Sequence, residues 1–200
     1  MSSYLDRTLV LLGKEKLERI QKARVMIIGL GGVGGTVLSA LYRSGFRHFV
    51  LVDNDKVDVS NLNRQIMYSI KDVGELKTKV CERKLTDFCG EINVQTVNLY
   101  VDETNAYELI KDVDFVVDAI DFVPGKIGIM KSCLEKNIPF ISSLGMAKRL
   151  DPEQVIQTTL NKTENDPLAK KIRYECRQRG LDLKKIPVVF SKENIIIDGI

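Results

Sequence analysis

Arg24-Val25-Met26-Ile27-Ile28-Gly29-Leu30-Gly31-Gly32-Val33-Gly34 is the stretch that decides the fold. Val25 to Ile28 is a continuous apolar run, the composition of a parallel strand buried on both faces. It ends in Gly29-x-Gly31-Gly32-x-Gly34, after which helix-forming residues resume. Side chains in such a turn would keep a phosphate away from the backbone N–H groups, and the positive end of the following helix favours negative charge. The same pattern also occurs where glycines only let a helix pack close to a sheet. The next run, His48 to Asp53, reads as a second buried strand ending in an acid placed to accept from ribose hydroxyls. Together they predict a nucleotide-binding strand-helix-strand unit in an α/β domain.

Working outward, 200 residues with 44% hydrophobic and 28% charged content suit one soluble α/β domain with a sizeable core. No apolar run approaches the roughly 20 residues of a membrane span, and Met1 to Val10 carries charge without a signal-peptide core, so a cytoplasmic protein is expected. Cys81, Cys89, Cys133 and Cys176 lie far apart, with no C-x-x-C pair for zinc and no dense disulfide framework; they read as free thiols. His48, the only histidine, stands at a strand entrance without a neighbouring acid and reads as structural or surface rather than catalytic. Ahead of the glycine turn, Gly13 to Lys22 predicts an amphipathic helix, and Arg7, taken alone, reads as a solvated terminal charge.

The glycine pattern by itself would suggest a dinucleotide cofactor, but the loop after Asp53 argues otherwise. Asn54-Asp55-Lys56-Val57-Asp58-Val59-Ser60-Asn61-Leu62-Asn63-Arg64-Gln65 is twelve residues, mostly polar, where about two to six are usual. It follows the carboxyl end of a strand, the edge at which open α/β sheets bind ligands, so Asn61, Arg64 and Gln65 are placed to meet phosphates. A solvated turn with one exposed Arg is the alternative. Glu75 to Gly90 predicts a helix with Lys77 in its first turn, where a cation opposes the helix dipole and hints at an anion that it meets; Lys79 and Lys84 read as outer-face charges. Ile92 to Leu99 reads as the third strand, and Val113 to Ile120 as the fourth, which runs into Asp118-Ala119-Ile120-Asp121. Of these two acids one reads as structural, and Asp121 is the better placed to hold Mg²⁺ against phosphate oxygens. Pro124 opens a helix with Lys126 in its first turn, and Ile138 to Ser143 is the fifth strand.

Beyond Asp151-Pro152 the pattern changes. Gln154 to Leu160 alternates like a strand with one solvated face, Asp166-Pro167 caps a basic helix, Ile186 to Phe190 is a last strand, and Asn194 to Ile200 is apolar. Lys162 to Lys185 holds eight Lys or Arg against four Asp or Glu, a surplus larger than the +3 net charge of the whole chain. A solvated helix face and a polyanion partner explain it equally.

The glycine turn, Asp53, Asn61-Leu62-Asn63-Arg64-Gln65, Lys77 and Asp118-Ala119-Ile120-Asp121 together resemble the ubiquitin-activating-like superfamily that includes the ThiF and MoeB adenylating enzymes. The resemblance implies a Rossmann-like, mostly parallel sheet with helices on both faces, and an enzyme that uses ATP and Mg²⁺ to adenylate a carboxylate. It implies that Gly31 and Gly32 approach the nucleotide within the turn bounded by Gly29 and Gly34, that Asp53 binds the ribose, and that Asp55 and Gln65 belong to the same site. Asn61 and Arg64 would touch the phosphates, Lys77 neutralise them and Asp121 serve the metal. Arg7 would be given across a homodimer to the partner's ATP, so the catalytic set is Arg64, Lys77, Asp121 and Arg7.

In the second half, Ile138 to Ala147, Asp151-Pro152, Thr158, Lys162-Thr163, Asp166 to Lys170 and Val189-Phe190-Ser191 resemble the tRNA threonylcarbamoyladenosine dehydratase branch. This implies a tRNA substrate in which the carboxylate of threonylcarbamoyladenosine is adenylated and then attacked intramolecularly, closing a ring with loss of AMP, and allows a sulfur-relay protein as partner. The alternative is adenylation of the C-terminal glycine of a ubiquitin-like or sulfur-carrier protein, although such activators often carry paired C-x-x-C zinc ligands. Residues 1–200 are expected to form a single ATP-binding adenylation domain, with 151–200 as its basic C-terminal segment and without the tail that family members usually carry.

Overall fold

The computed structural model describes residues 3–90 and 92–194, the side chain of Cys89 excepted; the apolar end at 195–200 lies outside the described residues. In chain order the elements are α1 (Asp6–Leu12), α2 (Lys14–Lys22), β1 (Arg24–Ile28), α3 (Gly32–Ser44), β2 (His48–Val52), α4 (Lys77–Cys89), β3 (Asn93–Val97), α5 (Ala106–Leu109), β4 (Phe115–Asp118), α6 (Val123–Lys136), β5 (Phe140–Ser143), β6 (Val155–Thr159), α7 (Pro167–Gln178) and β7 (Pro187–Ser191). The strands form a sheet in the order β3-β2-β1-β4-β5-β7-β6. It is mostly parallel, as expected; β6 runs antiparallel to β7.

The chain divides into two compact units, the first running to Tyr100 and including Asp112–Val116, the second made of Val101–Lys111 and the described residues from Val117 onward. In the first, β1 and β2 pair in register from Arg24 opposite His48 to Ile28 opposite Val52, and each strand is buried from its second residue on. That burial on both faces is why the two strands read as unbroken apolar runs. α3 stops at Gly45, whose N–H bonds the carbonyls of Leu41 and Tyr42 and whose φ of 117°, which favours glycine, turns the chain so that the Phe46 N–H also reaches Leu41 O, a C-terminal cap. In the second unit β6, at the edge of the described sheet, pairs antiparallel with β7. α7 is capped by Asp166, which accepts from the Ala169 N–H.

Several elements depart from the sequence reading for local reasons. α1 is not announced by an apolar stripe: Val10 and Leu11 are 87% and 82% exposed, and the anchoring residue is Leu5, just before it. α4 starts at Lys77 rather than Glu75 because Val57 N–H bonds Glu75 O and Lys56 bridges Leu76, which holds 75–76 extended. β4 ends at Asp118, before the expected Ile120, where the Asp118 carboxylate takes the Ile120 N–H and turns the chain.

Candidate active site

The glycine turn is built as a string of fixed peptide groups. Gly29 adopts φ 92°, a left-handed conformation that favours glycine, and its N–H bonds Val52 O at 2.8 Å. The Leu30 N–H donates to Asp53 Oδ2 at 2.6 Å, and Asp53 Oδ1 accepts from the Asp55 N–H at 2.8 Å. Burial raises the Asp53 carboxyl above its ordinary range, against the pull of these two backbone donors and of the Lys77 charge. α3 then begins at Gly32 with no side-chain cap, so the first N–H groups of a 13-residue helix are offered to a ligand.

The glycines split between the two explanations of their pattern. A Cβ on Gly32 would stand 3.4 Å from Arg64 O, so this glycine admits the long loop. A Cβ on Gly31 would meet nothing nearer than Gln65 Nε2 at 3.9 Å, so packing does not demand a glycine there and the backbone is open to approach. Gln65 itself is buried, and its Oε1 has no hydrogen-bond partner. A buried orphan acceptor costs stability unless a ligand or water reaches it, which fits a nucleotide lying against this turn.

The long loop is internally braced. Asp58 and Asn61 form a capping box, with Asn61 Oδ1 accepting from the Asp58 N–H. Arg64 is exposed, and its Nη1 donates to Ser60 O and Asn63 Oδ1 at 2.9 and 2.8 Å, which aims the rest of the guanidinium outward. Lys77 is buried at the uncapped start of α4, with Nζ 2.8 Å from Asp55 Oδ2. The anion that Lys77 meets in this structure is therefore Asp55, whose side chain is 59% exposed. Lys84 corrects the sequence reading: rather than solvating an outer face, it bonds Met67 O and pairs with buried Asp72, which Arg83 also holds.

In the second unit the last residue of β4, Asp118, and the loop residue Asp121 lie in different surroundings. Asp118 is fully buried and bonds Lys126 Nζ at 2.9 Å and Ser142 Oγ at 2.5 Å; Lys126, also without exposure, donates further to Ser142 Oγ and Ser143 O. Asp121 is exposed on the loop that opens α6. Sequence reading placed Lys126 in the helix but missed this role. The available signal was a pair of opposite charges, each set inside an otherwise apolar run. Arg7 lies exposed on α1. In the basic segment Arg173 is engaged by Thr163 and Arg179 by Glu103 and Glu175, which leaves Lys162, Lys170, Lys171, Arg177, Lys184 and Lys185 exposed.

Cys81, Cys133 and Cys176 are buried free thiols, pushed up by burial to about 11, 12 and 11, so they stay neutral and unreactive near pH 7. Among the described residues there is no cluster of three or more His, Cys, Asp or Glu that could hold a metal, and no helix long and apolar enough to cross a membrane. A single exposed carboxylate such as Asp121 suits Mg²⁺, which binds through one or two carboxylates, substrate phosphates and waters.

The ThiF family profile matches residues 5–165. The tRNA threonylcarbamoyladenosine dehydratase of Bacillus subtilis is 38% identical over 200 residues, covering 98% of this chain and 78% of that protein. The crystal structure of the Escherichia coli tRNA N6-threonylcarbamoyladenosine dehydratase TcdA with AMP superposes with a TM-score of 0.93 at 31% identity, over 98% of this chain and 83% of that one. The same enzyme with ATP gives 0.91 at 32% identity, over 97% and 83%. With a profile match over most of its length and relatives of this likeness, the chain belongs to the ThiF family.

Proposed function

We propose that this chain is a cytoplasmic, ATP-dependent tRNA threonylcarbamoyladenosine dehydratase, acting through residues 1–200 as one adenylation domain. The observation that carries the proposal is the near full-length likeness to a dehydratase solved with both AMP and ATP. The orphan Gln65 Oε1 beside Gly31 and the uncapped start of α3 support a nucleotide there.

The chemistry follows from the weakness of a carboxylate as an electrophile, since its leaving group would be oxide. In the first step the substrate carboxylate oxygen forms a bond to the α-phosphorus of ATP, and pyrophosphate leaves. In the second, an atom of the same modified residue attacks the acyl carbon, loses its proton to a base, and AMP departs with the former carboxylate oxygen. The sum is loss of one water from the nucleoside. Holding attacker and acyl carbon in one residue is worth roughly 7 to 11 kcal/mol of the barrier, so no enzyme nucleophile is required, in keeping with the neutral buried thiols.

Asp53 orients the ribose, Asn61 and Arg64 grip phosphate oxygens, and Lys77 offsets charge on the departing pyrophosphate. Mg²⁺, held through Asp121 when bound, supplies further neutralisation of phosphate charge. Arg7 is assigned to the partner's nucleotide in a homodimer, and the exposed cations from Lys162 to Lys185 to tRNA phosphates. The deciding experiment incubates the purified chain with ATP, Mg²⁺ and tRNA bearing the open-chain modification. The digested nucleoside is expected to be lighter by one water, with AMP and pyrophosphate formed in step. ATP binding without that mass change would remove the dehydratase assignment.

A further inference from the structure

Leu30, the non-glycine residue between Gly29 and Gly31 in the turn, is gripped from two directions. Its N–H is held by Asp53, and its carbonyl accepts the Tyr68 hydroxyl at 2.8 Å, a contact between residues 38 apart in sequence. The flanking peptides are held by backbone: Gly29 N–H on Val52 O, and Gly31 O on the Gly35 N–H. Among the described residues, the side chain seen to bond the Leu30–Gly31 peptide is that of Tyr68.

The consequence follows from peptide geometry. In a trans peptide the C=O and the next N–H point in opposite directions, so anchoring the Leu30 carbonyl on Tyr68 turns the Gly31 N–H away from Tyr68. Gly31, with no Cβ, offers little resistance of its own to rotation of that peptide. Resting on the assignment of this turn to ATP, we propose that Tyr68 is a positioning residue for the nucleotide: its hydroxyl sets the Leu30–Gly31 peptide so that the Gly31 N–H is presented to the bound anion. Tyr68 is only 7% exposed and lies 3.5 Å from Cys81 Sγ. With the thiol as donor to the phenol oxygen, the phenol proton is left for Leu30 O. Burial drives the phenol far above its ordinary range, so it remains a donor at every physiological pH.

The test is Tyr68→Phe in the full chain, which removes one oxygen and keeps the ring. ATP affinity is measured by calorimetry without tRNA, and turnover with ATP and tRNA varied separately. A competent turn that is only part of the population lowers apparent affinity in proportion, so the dissociation constant and KM for ATP are expected to rise about fivefold, the value of one ordinary hydrogen bond. kcat at saturating ATP and KM for tRNA stay at wild-type values. Unchanged ATP affinity in the variant overturns the role of Tyr68 and leaves the ATP assignment standing. A fall in kcat together with rises in both KM values and a lower Tm also overturns it, as a general structural defect. Failure of the wild-type chain to bind ATP removes the assignment itself.

Discussion

Lys126 carries its charge into a position with no solvent exposure, and three acceptors make that tolerable: Asp118 Oδ2, Ser142 Oγ and Ser143 O. Removing one partner of such a pair leaves the other buried and uncompensated. Lys126→Met is therefore expected to cost roughly 3 to 5 kcal/mol in urea unfolding, and adding Asp118→Asn to recover a large part of it. Independent, additive losses would show that the two groups are not coupled. The same pair fixes the start of the loop that carries Asp121, because the other Asp118 oxygen holds the Ile120 N–H at 3.3 Å.

Between β2 and α4 the chain spends over twenty residues without a strand or an α-helix, and the second half of that stretch gathers around one acid. Asp72 accepts from Ser69 N and Oγ, Arg83 and Lys84, and Lys84 also reaches Met67 O, close to Gln65 and Tyr68. Burial pushes the Asp72 carboxyl up, but the bonds from Lys84 and Ser69 outweigh it and hold it well below the ordinary carboxylate range. A depressed folded value means stability that is fully present above the unfolded value and is lost as pH falls through the folded one. Asp72→Asn is thus expected to lower stability at pH 7 and to flatten the acid limb of the stability curve below about pH 4. An acid limb identical to wild type would show that other carboxylates dominate it. That a long polar loop stands here could be read from its length and composition; that Lys84 and Asp72 brace it could not, because neither residue differs locally from a surface charge.

At the scale of the whole molecule the charge is unevenly spread, with the Lys162 to Lys185 surplus exceeding the net +3. The structure refines that count by spending Arg173 and Arg179 on internal partners and leaving Lys170, Lys171 and Arg177 exposed on α7. Replacing these three by alanine is expected to raise KM for tRNA several-fold and to weaken its dependence on salt, since each phosphate contact releases counterions, while KM for ATP stays put. An unaltered salt dependence would move the tRNA contact elsewhere.

The sequence by itself determined the strand-turn-helix opening, the second buried strand, which the structure ends at Val52 one residue before Asp53, and the Asp166 cap, because burial on both faces, glycine conformations and helix caps are written in contiguous residues. Only the tertiary structure decided that Lys77 meets Asp55, that Lys126 neutralises Asp118 and that Tyr68 holds Leu30. Lys77 and Asp55 are 22 positions apart and Tyr68 and Leu30 are 38, and the spacing of side chains along a chain does not say which distant ones packing will bring within hydrogen-bonding distance.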